Sequence, residues 1–245
     1  MRPDASKKIA KATPKSGPNV VLIGAVLAIV VVLAVVVAIV IGNNSKSGSN
    51  TAQSVPSGVV GGTGGGILVD PAAADAKVPT VDVYADFQCP ICGQFEESFG
   101  STLTEMAKAA QVKYVVHMMT FLDTNLGNDS SKRATNAAAC AADAGKFGEY
   151  HSAVFAAQPA KEGDGYTDAQ LTEFAKTAGI TGPALTTWQQ CTTSGQHDQY
   201  VTDVADASGR AGVTGTPTVF LNGKDITKTL TTPDALVATI KAAKS

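Results

Sequence analysis

Four cysteines carry most of the reactive chemistry in this chain: Cys89 and Cys92 enclose Pro90 and Ile91, while Cys140 and Cys191 stand apart. A Cys-x-x-Cys pair can supply half of a zinc site, a structural disulfide or a reversible dithiol. Zinc takes four ligands, usually as two close pairs. No second Cys-x-x-Cys exists, and His117, His151 and His197 have no ligand spacing, so no metal is expected. A haem attachment site needs histidine after the second cysteine, where this chain has Gly93. The dithiol reading is the best supported, because a cysteine at a helix N-terminus faces unpaired N–H groups and the positive helix end, and both favour the nucleophilic thiolate. Cys92, one turn deeper on nearly the same face, can close a disulfide with Cys89 and resolve a mixed disulfide. Pro90 and Ile91 tune that thiolate.

The flanking elements place the pair at such a terminus. Thr80 to Phe87 (TVDVYADF) reads as a strand in which Val81, Val83 and Ala85 share one face. A helix is expected from Cys89, with Pro90 at its first position and a stripe of Phe95, Phe99, Leu103, Met106 and Ala110. Val112 to Thr120 is a second strand, which completes a parallel βαβ unit. From Ser130 to about Gly212 the pattern is helical: Ala134–Phe155, Asp168–Ala178 and Pro183–Ala211, with breaks at 163–165 and 179–182. Thr218 to Leu221 then leads through Asn222-Gly223, a type I′ hairpin signal, into Lys224–Lys228. A last helix starts at Thr232 and Pro233 and buries Leu236, Val237 and Ile240. The fold class is α/β: β-α-β, an all-helical insertion over about 130–212, then β-β-α.

Charge and hydropathy add an N-terminal region. The first 18 residues hold Arg2, Lys7, Lys8, Lys11 and Lys15 against one acid, Asp4, leaving 14 basic and 20 acidic residues for the rest. An acidic body does not suit nucleic acid. Val20 to Ile41 runs 22 residues with neither charge nor proline, roughly 33 Å as a helix and enough to cross a bilayer core. We read 1–19 as a basic cytoplasmic tail, 20–41 as a single transmembrane helix and 42–65, rich in Gly, Ser and Asn, as a flexible linker. Residues 66–245 form the extracytoplasmic domain. Four cysteines suit an exported domain in an oxidising compartment.

With Phe87-Gln88-Cys89-Pro90-Ile91-Cys92 and Gly215-Thr216-Pro217-Thr218 both in view, the chain resembles the DsbA-like branch of the thioredoxin superfamily, in its membrane-tethered actinobacterial form. The resemblance covers about residues 66–245 and implies a thioredoxin-like fold with a helical insertion. It implies that Cys89 is the nucleophile, Cys92 the resolving cysteine and Pro217 a cis-proline facing the dithiol, with Thr216 free to pair with a bound peptide strand. Tethered relatives carry a second cysteine pair, which implies a structural disulfide between Cys140 and Cys191; a second redox pair that relays electrons is the alternative. Two departures stand out. The strong oxidant of the family has histidine where this chain has Ile91, which implies a milder oxidant. The acid often buried six residues before the nucleophile is replaced by Val83, with Asp82 and Asp86 nearby. Asp86 could affect proton transfer to Cys92, but is expected to be a solvated loop acid. His151 and Trp188 are expected to pack within helices.

The expected activity is introduction of disulfides into reduced exported proteins, without a cofactor, by a monomer. The resemblance implies re-oxidation by a membrane quinone reductase of DsbB or vitamin K epoxide reductase type. A reductase or isomerase is the runner-up, and a non-catalytic binding or sensor module is the alternative from another class.

Overall fold

Strand β3 (Thr80–Ala85) organises the domain, and its alternation is the one expected: Val81, Val83 and Ala85 are fully buried, while Thr80, Asp82 and Tyr84 keep partial exposure. The computed structural model describes residues 54–243. The expected cytoplasmic tail, the 20–41 span and the linker as far as residue 53 lie outside the described residues. Among the described residues no helix is long and apolar enough to cross a membrane.

The sheet has six strands in the order β1-β2-β4-β3-β5-β6. β4 (Lys113–Met118) runs parallel to β3, with Val83 opposite Val116, and β5 (Thr218–Leu221) runs antiparallel on the other side, with Val83 opposite Val219. β4 is buried from Tyr114 to Met118, as befits a central strand covered on both faces. Between β3 and β4 run α1 (Pro90–Phe95), a π turn (Glu96–Gly100) and α2 (Ser101–Lys108). Asn222 and Gly223 both take positive φ, 48° and 78°, which a type I′ turn requires, and lead to β6 (Lys224–Asp225). The last helix is capped as expected, since Ala235 N donates to Thr232 Oγ1 at 3.2 Å.

The helical insertion comprises α4 (Ser130–Asp143), α5 (Phe147–Ala156), α6 (Asp168–Thr177), α7 (Gly182–Ser194) and α8 (Asp198–Arg210), preceded by a short α3 (Phe121–Leu126). Four expectations need correction. The Ala134–Phe155 and Pro183–Ala211 helices are each two, divided at Gly145 and Gly195, whose φ of 67° and 61° end a helix in the left-handed region. The single helix after Cys89 contains the π turn. That extra residue rotates the following turn, so Gly100 is buried where Phe99 is only half-buried, and the helix ends before Ala110, which has φ 50°. Lys224–Lys228 is a two-residue strand followed by a 3-10 turn at Thr227–Thr229.

The fourth correction concerns the linker boundary. Residues 54–65 belong to the domain: β1 (Val59–Val60) and β2 (Gly66–Leu68) form a hairpin whose second strand pairs with β4. Asp143 Oδ1 accepts from Ser57 N and Oγ at 2.9 and 3.1 Å. The buried His197 ring lies between the Ser54 carbonyl (2.6 Å) and Asp143 Oδ2 (2.8 Å). Gly- and Ser-rich composition concealed this strand because Val59 and Val60 are its only apolar signal.

Candidate functional site

The dithiol sits where the β3 chain turns into α1. Cys89 is the N-cap, with extended backbone (φ −78°, ψ 116°), and Pro90 occupies the first turn. The cap is held from behind. Gln158 Nε2 donates to the carbonyls of Phe87 (2.8 Å) and Cys89 (3.0 Å), and Tyr166 OH donates to the Phe87 carbonyl at 2.9 Å. Gly93 makes room for this clamp, because a Cβ there would run into the Gln158 amide. Gln88 anchors the loop through Asp123, Asn128 and Ser131.

Cys89 and Cys92 are free thiols of opposed character. Cys89 is pushed down to about 6. The largest cause is the hydrogen bond from the Cys92 thiol; burial opposes it, and the backbone N–H groups of Cys92 and Ile91 add further pull. Helix amides therefore contribute, as expected, but they are secondary to the partner thiol. Cys92 is fully buried and pushed strongly up, first by that burial and then by the Cys89 sulfur. Ile91 acts on the thiolate through its backbone only, since its side chain is 60% exposed.

Thr216 and Pro217 arrive from the loop before β5, and the peptide bond between them is cis. The Thr216 carbonyl accepts from the Cys89 thiol at 3.6 Å. Its hydroxyl is buried beside both sulfurs, has no oxygen or nitrogen partner among the described residues, and lowers both thiols. The fold thus brings together four residues that are 127 positions apart in sequence at the extremes.

Asp86 departs from expectation. It is not a solvated loop acid but fully buried. Its carboxylate accepts from Ser131 Oγ (2.6 Å), Gln88 N (2.9 Å) and Leu122 N (3.4 Å). Burial still dominates and pushes it up to about 7. An acid raised in the folded state contributes full stability below its unfolded pKa, near 4, and loses it as pH rises through 7. Asp86→Asn is therefore expected to gain on wild type in thermal midpoint between pH 5 and pH 8, by the equivalent of a few kcal/mol at most. Melting curves across that range check it; parallel pH profiles would contradict the burial argument.

Cys140 and Cys191 are joined in a disulfide between α4 and α7. Their sulfurs and His197 bring ligand atoms within 4.8 Å of one another, a cluster that sequence spacing did not reveal. Both sulfurs are already bonded to each other and both His197 nitrogens face oxygen acceptors, so these groups do not fit a metal as they stand. His151 and Trp188 are buried in helix packing, and Trp188 Nε1 donates to the Ala137 carbonyl at 3.0 Å.

Sequence reasoning missed Gln158, Ser131 and Glu96. Glu96 lies one turn after Cys92, so its i+4 spacing was a usable signal; the other two come from distant elements and left none.

A family model described as thioredoxin matches residues 73–242. The chain belongs to the thioredoxin family. Within it, the chain is a DsbA-like thiol–disulfide oxidoreductase type: it is 36% identical to a disulfide bond oxidoreductase, DsbG, of Mycobacterium tuberculosis, with a TM-score of 0.56 over 66% of this chain and 76% of that one. The oxidised DsbA of the same organism is also 36% identical, with a TM-score of 0.57 over 66% and 81%. Among curated proteins, the Na(+)/H(+) antiporter NhaA 3 of Salinispora tropica is 29% identical over 163 residues, 64% of this chain and 23% of that one. The chain spans about a quarter of the length of the curated relatives it matches.

Proposed function

We propose that this protein is a membrane-anchored dithiol oxidase that introduces disulfides into reduced exported proteins, with Cys89 as the nucleophilic sulfur and Cys92 as the resolving one. The observation that carries the reading is the opposed proton affinity of the two sulfurs. In the oxidised enzyme a substrate thiolate attacks the Cys89 sulfur, the Cys89–Cys92 bond breaks and Cys92 leaves. The substrate's second thiolate then attacks the substrate sulfur of the mixed disulfide and displaces Cys89. A thiol of low pKa is a good leaving group. Stabilising the Cys89 thiolate therefore favours both release of the oxidised product and the reduced form of the enzyme, which is what makes a disulfide oxidising.

The exposed Ile91 side chain beside Cys89 offers an apolar contact to an unfolded substrate, and the Thr216 backbone offers an edge for strand pairing. Turnover needs a disulfide-donating partner. A membrane quinone reductase of DsbB or vitamin K epoxide reductase type supplies that chemistry, accepting two electrons from the reduced pair and passing them to quinone. The apolar 20–41 segment behind a basic tail supports an anchor with the catalytic domain outside the cytoplasm.

The test is the Cys89–Cys92 reduction potential of the full chain, equilibrated against glutathione. Dithiol pairs on this fold span potentials from about −120 mV for the strong oxidant to about −270 mV for thioredoxin. A potential above roughly −180 mV is expected; one below roughly −240 mV moves the protein to the reducing side.

A further inference from the structure

Behind the dithiol lies a second buried acid that the disulfide chemistry above does not yet use. The π turn directs Glu96 inward, and its side chain is 8% exposed. Tyr114 OH donates to Glu96 Oε1 at 2.8 Å, and His151 Nε2 lies 3.8 Å from the same oxygen with no hydrogen-bond partner. His151 sits among Phe87, Phe147 and Phe155, and burial there pushes it down to about 3, so it carries no charge at neutral pH. Among the described residues no lysine or arginine pairs with Glu96. Burial raises it to about 7, against the pull of the Tyr114 hydrogen bond. On its other side Glu96 lines an open cleft of about 740 Å³ beside Pro90 and Gly93, whose wall also carries Glu97 and Glu105. The Cys92 sulfur is close enough to raise the Tyr114 hydroxyl, and Glu96 N–H donates to the Cys92 carbonyl one turn back.

We propose that Glu96 exchanges the Cys92 proton with water in this cleft, with the Tyr114 hydroxyl as the link between carboxyl and sulfur. This rests on the dithiol reading above. When a substrate thiolate breaks the Cys89–Cys92 bond, the electron pair stays on the Cys92 sulfur, which lies where burial strongly disfavours a thiolate. Tyr114 gives its hydroxyl proton to that sulfur and takes the Glu96 carboxyl proton. The Glu96 carboxylate is then reprotonated from the cleft. On re-oxidation the shifts reverse, and the Cys92 thiolate so formed attacks Cys89 in the mixed disulfide with the oxidising partner. Asp86 is the rival group, also buried and raised. Three donors fix its carboxylate and it does not line the cleft, whereas Glu96 has one donor, a neutral imidazole neighbour and a solvent face.

The reduced full chain, mixed with the aromatic disulfide dithiobis-nitrobenzoate, should release thionitrobenzoate twice. The first release follows attack by Cys89 and the second follows attack by Cys92 on the mixed disulfide. In wild type the second rate should rise with pH through an inflection near 7. Glu96→Gln is expected to leave the first rate unchanged, slow the second roughly tenfold or more at pH 7 and remove its inflection. Glu96→Asp should restore the inflection in part, and Tyr114→Phe should reproduce the loss. A second-phase profile in Glu96→Gln that overlays wild type overturns the proposal, as does loss of the inflection in Asp86→Asn alone. Absence of any second release in wild type instead sinks the dithiol reading on which it rests.

Discussion

Cys92→Ala is expected to raise the Cys89 titration midpoint from about 6 to near 8 or above and to leave the enzyme trapped as covalent mixed disulfides. The Cys92 thiol is the largest single pull on Cys89, and alanine removes it while burial, the opposing influence, stays. The N–H groups of Ile91 and Cys92 and the Thr216 hydroxyl remain and keep some depression. At pH 7 a thiol of pKa 6 is roughly nine-tenths thiolate, and one of pKa 8 roughly one-tenth. Alkylation of Cys89 by iodoacetamide at pH 7 should therefore slow about tenfold. A depressed thiol also stabilises the reduced fold above its unfolded pKa, and that stability is lost as pH falls through 6. The variant should lose less stability than reduced wild type between pH 9 and pH 6. Cys92→Ser, whose hydroxyl can still donate, should fall between the two. Thiolate absorbance at 240 nm against pH reads all three proteins. A midpoint that stays near 6 in Cys92→Ala would assign the depression to the helix terminus and overturn the partner-thiol account. Cys89→Ser gives the complementary result, with neither adduct nor exchange.

What made the dithiol legible was local. Cys89-Pro90-Ile91-Cys92 follows an alternating strand and opens a helix, so position and chemistry are encoded within a dozen residues. The βαβ order, the Asn222-Gly223 turn and the Thr232 cap are likewise short-range signals. The groups that were not legible owe their state to distant elements. Asp86 looks solvated in sequence because nothing near it announces that Ser131 and Leu122 will enclose it. Gln158 clamps Cys89 from 69 residues away. The Phe95–Ala110 stripe follows a period of four, which cannot register one extra residue in a π turn; the structure needs that residue to bury Gly100 and turn Glu96 inward. Gly145 and Gly195 resemble glycines that a helix tolerates at about 1 kcal/mol each, and only tertiary packing makes them ends.

Replacing both Cys140 and Cys191 by alanine is expected to lower stability by about 4 kcal/mol while leaving the Cys89–Cys92 potential unchanged. The two residues are 51 positions apart, and in the chain-entropy account a closed loop of that size is worth about 4 kcal/mol. Local composition argues that little compensates. α4 buries six alanines, Ala134, Ala137, Ala138, Ala139, Ala141 and Ala142, so it packs closely but removes little apolar area per residue. α7 contributes Trp188 and Cys191 as its only buried side chains. The disulfide therefore fastens two helices that share a thin interface, anchored otherwise by the Trp188–Ala137 hydrogen bond. A domain of this size shifts by roughly 2–4 °C per kcal/mol, so the melting temperature should fall by about 8–16 °C. Dithiothreitol should bring wild type toward the variant and leave the variant unchanged. A double variant as stable as wild type would show that the unfolded chain gains nothing from release of the loop. A variant of normal stability whose Cys89–Cys92 pair could no longer be re-oxidised would make Cys140 and Cys191 an electron relay. The buried position of both sulfurs favours the structural outcome, since a relay must offer a sulfur to an incoming thiolate.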